Sequence, residues 1–138
     1  MNMLEKIRKY IPMEAIHPII ACLDRRREIV FAMIYGSALE GESYRDLDIG
    51  LFVDRSQVPS LEDFDFVCSI LEELESPVTM PIDMHVINDA PLGFRYNVSH
   101  GVPMVIHDKE AYYHFLERTW DEYHDFAPVA MKYLQEMK

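Results

Sequence analysis

A chain of 138 residues with 49% apolar side chains is long enough to bury one real core and leaves little room for a second. That apolar content argues against disorder, and no run of about 18 apolar residues is present to span a membrane. With 24 acidic against 13 basic residues the net charge is −11, which disfavours non-specific binding to nucleic acid or anionic lipid.

In chain order, residues 3–10 read as a short helix stopped by Pro12. The N-terminal MNMLEKIRKY lacks the apolar stretch of a secretory signal, so the expected location is the cytoplasm. A second helix is expected over 13–27, with Ile16, Ile19, Ile20 and Leu23 on one side and Pro18 best placed in its first turn. Residues 29–35 form an apolar run stopped by Gly36, the pattern of a buried strand. Residues 46–53 alternate: Leu47, Ile49, Leu51 and Val53 point one way, and Asp46, Asp48, Gly50 and Phe52 the other. A helix over 61–74 follows Pro59 and Ser60, with Phe64, Val67, Leu71 and Leu74 expected inward. Alternation returns at 82–87, placing Ile82, Met84 and Val86 opposite Asp83, His85 and Ile87. A helical or turn segment over 91–99 leads through Gly101 to a strand at 102–106. A long aromatic-rich helix starts near Lys109 and is expected to bend or break at Pro128. Helices and strands interleave without repeats or linkers. The reading is one α/β (α+β) domain over 1–138, a mixed sheet with helices mainly on one face.

The chemistry concentrates in IYGSALEGESYRDLDIGLFVD, residues 34–54. Strand residues i and i+2 share a face about 6.5–7 Å apart. Asp46 and Asp48 therefore stand side by side at a strand end, where two carboxylates repel unless a cation lies between them. Mg²⁺ suits such a pair, since it takes hard oxygen ligands and commonly binds through one or two carboxylates plus substrate phosphates. Asp83 opens another strand with its apolar set facing away, so it joins the pair if the two strands are neighbours. Gly36 lets the backbone approach a ligand, and Ser37 at the start of a short turn aims amides and a hydroxyl at an anion. Three carboxylates carry about −3 and two Mg²⁺ about +4, a balance that attracts a polyphosphate. Ser37 and Glu40 also have the spacing of a capping box, and an Asp-x-Asp alone is common on solvated edges; it is the agreement of strand phase at three positions that favours a site.

These residues resemble the minimal nucleotidyltransferases of the polymerase-beta-like superfamily: Gly-Ser, a loop, Asp-x-Asp, and a third Asp on a later strand. The match falls on Gly36, Ser37, Asp46, Asp48 and Asp83, and the resemblance covers about residues 28–108, with a C-terminal helical segment over 109–138. The loop departs from the family pattern, with eight residues rather than about ten and with Arg45 before the first Asp. The resemblance implies two-metal nucleotidyl transfer from an NTP, expected to be ATP, with release of pyrophosphate. It implies that Asp46 and Asp48 bind both Mg²⁺ ions, that Asp83 completes the metal site and takes the acceptor proton, and that Gly36 and Ser37 hold the β- and γ-phosphates. The aspartyl-phosphate signature is also Asp-x-Asp, but it needs an apolar strand running into the first Asp, and here Glu42-Ser43-Tyr44-Arg45 precedes it.

Stand-alone members of this size resemble the antitoxin partners of HEPN-domain toxins, which they modify by transferring AMP to a tyrosine. The acidic composition and aromatic C-terminal helix suit a protein partner, and the same helix is a candidate homo-oligomer surface. The rival readings are an aminoglycoside-type small-molecule nucleotidyltransferase and a catalytically silent module that acts by contact. Arg95 reads as a surface salt bridge before a phosphate ligand, and His85 as a pocket residue or a satisfied, partly buried histidine. Arg25, Arg26 and Arg27 suit a helix C-terminus, the acidic residues of 62–75 a solvated face, and Cys22 and Cys68 two reduced core thiols.

Overall fold

Ile29–Tyr35 (β1) is the structural centre, an apolar run whose side chains are buried on both sides save for Val30. In the computed structural model, which describes residues 3–9, 11–40 and 46–136, it is an inner strand of a four-stranded mixed sheet. Leu47–Val53 (β2) and Val102–Ile106 (β4) flank it, both antiparallel, and Ile82–Val86 (β3) pairs in parallel with the far side of β2. The parallel pair requires a crossover, supplied by the α-helix Asp63–Leu74.

Three helices cover one face: Met3–Arg8 (α1), Met13–Asp24 (α2) and Asp63–Leu74 (α3). Beneath them lies the larger core, which takes Leu47, Ile49, Leu51 and Val53 from β2, as the alternation requires. Pro18 lies inside α2, beyond the first turn where the sequence favoured it. The helix is short and its buried stripe of Ile16, Ile19, Cys22 and Leu23 holds it against the sheet despite the missing N–H. Arg25 and Arg26, at its end, reach across to α3: Arg25 donates to Glu73 (2.8 Å) and Arg26 to Ser69 (3.3 Å).

A 3-10 turn at Ser60–Glu62 precedes α3 and sets its phase. Phe64, expected inward, is 77% exposed in the first turn, while Ile70 and Leu74 are buried. Asp63 and Glu73 are not free solvated charges: Arg55 holds Asp63 at 2.6 Å. Cys22 and Cys68 are free thiols, the first buried.

Leu92–Ser99 (α4) and Lys109–Glu136 (α5) lie on the opposite face, over a smaller cluster of Phe31, Met33, Tyr35, Ile87, Val98 and Phe115. The turn between α4 and β4 passes close to the end of β1 because residue 101 is glycine; a Cβ there would collide with the Ile34 carbonyl and the Tyr35 Cβ. Of the bend or break expected at Pro128, the break is absent: α5 continues through it as one helix. Among the described residues, no helix is long and apolar enough to cross a membrane.

Candidate active site

Three strand ends come into line at one edge of the α4 side of the sheet. Tyr35 of β1 pairs with Asp48 of β2, and Asp48 pairs with Asp83 of β3. Tyr35 belongs to the cluster beneath α4 and α5, so the pleat puts this row on that face. Asp83 is thus the direct neighbour of Asp48 across a parallel ladder. Asp46 is exposed, two residues before Asp48 and just outside β2.

Gly36 follows Tyr35 with φ of +82°, the one positive φ among the described residues. Its hydrogen faces Asp48, and a Cβ in its place would run into that carboxylate. The glycine is required twice, by the left-handed turn and by the close approach of the acid. Ser37 comes next, exposed within the 3-10 turn Gly36–Glu40. Arg45 and the loop residues 41–45 lie outside the described residues.

The electrostatics record the proximity of the acids. Burial pushes the Asp48 carboxyl above its usual range, Asp83 and Asp46 push it further, and His85 pulls it back. The Tyr35 phenol is driven well above its ordinary value by burial first, then by Asp48 and Asp83. Asp48 therefore lies within the repulsive field of the other two acids, and carboxylate oxygens are hard donors of the kind that suit Mg²⁺. Asp83 meanwhile is engaged along its own strand, with Oδ1 2.8 Å from His85 Nε2. Among the described residues no three His, Cys, Asp or Glu side chains are grouped to hold a metal ion.

Two residues at this edge carry no signal in the sequence. Tyr35 reads simply as the last residue of an apolar strand, and Phe94 as one apolar residue in a turn-rich stretch. Phe94 packs edge-on against Tyr35 (centroids 5.9 Å) and His85 (5.6 Å), forming a wall from α4. Arg95, next to it, points the other way. It forms the expected salt bridge, with Glu122 Oε2 (2.6 Å), but from a buried position: 9% exposed, it also donates to the Ala90 carbonyl (3.0 Å) and Thr119 Oγ1 (3.4 Å). That arrangement clamps α4 to α5, and only the packing of the two helices could reveal it. A wide groove of about 670 Å³ between the end of α3 and the start of β3 is lined by Cys68, Leu71, Val78, Met80 and neighbours, and by none of the three acids.

The family described as Polymerase beta, Nucleotidyltransferase matches residues 17–110, more than half of the chain. The protein belongs to this family. Its match spans the sheet, the Gly36 turn and all three acids. No curated protein matches the chain. Among solved structures it is similar to minimal nucleotidyltransferase antitoxins. One is the toxin–antitoxin pair MntA–HepT, at 14% identity over 88% of this chain and 94% of the other, with a TM-score of 0.61. Another is a toxin–antitoxin with AMP-PNP, at 16% identity over 88% and 96%, with a TM-score of 0.65. A third is the tri-AMPylated Shewanella oneidensis HEPN toxin in complex with MNT antitoxin, at 14% identity over 99% and 98%, with a TM-score of 0.61. At these identities the likeness is one of fold.

Proposed function

We propose that this nucleotidyltransferase uses Mg²⁺ and ATP to transfer AMP to a hydroxyl of a HEPN-type protein partner, with a tyrosine as the acceptor and toxin neutralisation as the outcome. The observation that carries the reading is the register of Asp48 with Asp83 beside a glycine turn that leaves room for the carboxylate. The AMP-PNP complex and the tri-AMPylated HEPN toxin among its structural neighbours support the nucleotide and the acceptor class.

In this reading Asp46 and Asp48 hold the metal, and Asp83 completes the set. Bound Mg²⁺ supplies charge neutralisation for the triphosphate and for the pyrophosphate that leaves. Gly36 and Ser37 offer backbone amides and a hydroxyl to the β- and γ-phosphates. The acceptor oxygen attacks the α-phosphorus, the bond to the β-phosphate oxygen breaks, and Asp83 accepts the hydroxyl proton. Phe126, Val129 and Leu134, each more than half exposed on α5, favour a protein partner over a small cationic acceptor.

The test is incubation of the partner with the full chain, ATP and Mg²⁺, followed by mass spectrometry. One or more added adenylyl groups located on tyrosine are expected. An unmodified partner that is nevertheless neutralised by Asp46→Asn/Asp48→Asn would replace chemistry with inhibition by contact.

A further inference from the structure

We infer that His85 is a positioning residue for Asp83, holding one oxygen of that carboxylate so that the other is presented toward the Asp48 edge. The inference rests on Asp83 being the third acid of the site.

The two residues are i and i+2 on β3, which places both side chains on one face at about 6.5–7 Å. The imidazole closes that gap: His85 Nε2 lies 2.8 Å from Asp83 Oδ1. A carboxylate only accepts, so Nε2 carries the proton and donates; the neutral ring suffices, and no positive charge is needed.

Both groups are half exposed, so either would be hydrated if the contact were incidental. A second contact bears on the ring. Phe94 meets it edge-on from α4. Across the ladder His85 pairs with Gly50, so β2 sends no side chain up beside it. One register pair further along, Asp83 faces Asp48. The carboxylate is therefore pinned on the side away from the turn.

Metal-ligating carboxylates are commonly fixed by such an outer hydrogen bond, and losing it typically costs about 10–100-fold in affinity or activity. Sequence alternation alone puts His85 and Asp83 on one face; the structure shows the 2.8 Å contact and the Phe94 ring beside it.

Mn²⁺ binding to the full chain, followed by the electron paramagnetic resonance of the free ion, tests this without any acceptor. His85→Leu is expected to weaken Mn²⁺ binding about tenfold. His85→Asn, whose amide falls short of Asp83, gives the same loss should the leucine variant fold poorly. His85→Gln, whose amide reaches, restores most of the affinity. In an Asp83→Asn background, His85→Leu adds nothing, which separates positioning through Asp83 from a general effect on the sheet. Unchanged affinity in His85→Leu, or an equal loss in the Asp83→Asn background, overturns the role of His85 and leaves the carboxylate site standing. A wild-type chain that takes up no Mn²⁺ overturns the site and the inference together.

Discussion

On the face under α1, α2 and α3 the buried side chains are aliphatic, with Ile, Leu, Val and Met throughout. On the face under α4 and α5 half of them are aromatic: Phe31 stacks on Phe52 at 4.9 Å and packs against Tyr112 and Phe115, and Tyr35 meets Phe94. The buried polar residues Arg95, Ser99 and Thr119 are all on this second side. Hydrogen bonds fix them in place: Ser99 donates to the Tyr96 carbonyl and accepts from the Trp120 indole. The aliphatic face demands only volume and phase, and so anchors strand register. The aromatic face carries directional contacts, and its open edge is where the acids stand. Acids placed on one side of a register fixed by the other side keep their geometry without contributing to the core.

The largest predicted effect breaks the second face and spares the first. Asp46→Asn/Asp48→Asn is expected to lower nucleotidyl transfer by about a thousandfold or more, measured as incorporation of labelled AMP, with the fold intact by circular dichroism. Asp48→Asn should also raise the thermal midpoint in the absence of added metal. Its folded pKa is raised, so ionised Asp48 costs stability at neutral pH, and that cost disappears as pH falls through the raised value. A midpoint that drops instead would mean the acid is satisfied by contacts not seen around it.

The reverse experiment is Leu51→Ala, which opens a cavity in the aliphatic face. It should lose about 3 kcal/mol in urea unfolding, and residual activity should scale with the folded fraction. Gly36→Ala sits between the two. The left-handed backbone alone costs about 1–2 kcal/mol, and displacement of the Asp48 carboxylate should reduce transfer by more than that loss of stability explains. Comparing the denaturation midpoint with kcat separates the two effects.

The smallest effect concerns the clamp between α4 and α5. Hydrogen bonds from Arg95 and then Arg118 hold the Glu122 carboxyl below its usual 4.5. Its contribution is present above that ordinary value and is lost as pH falls through the lowered one. Glu122→Gln should therefore lower stability at neutral pH, change little at pH below the lowered value, and so shallow the acid limb of a stability–pH curve. Stability unchanged at neutral pH would mean that Arg95 is held by Thr119 and the Ala90 carbonyl alone.

Strand phase was legible because period-two alternation is strict. The ranges 29–35 and 102–106 coincide with β1 and β4, and the faces assigned to Leu47–Val53 and Ile82–Val86 match the two cores. Helical phase was harder to read. Phe64 has the right spacing from Val67 and Leu71, but the 3-10 turn before Asp63 leaves it in solvent. Pro18 shows the same limit, because tertiary burial tolerates a helix interior that local propensity disfavours.

By itself the sequence determined which strand residues share a face: Asp83 with His85, and both Asp48 and Asp83 opposite an apolar set. It determined this because a strand has only two sides. Tertiary structure alone decided that β3 lies beside β2 with Asp83 level with Asp48, that Gly36 gives way to that carboxylate, and that Arg95 is buried under α5. Those outcomes depend on which strands become neighbours and how two helices cross, and residues far apart in the chain settle both.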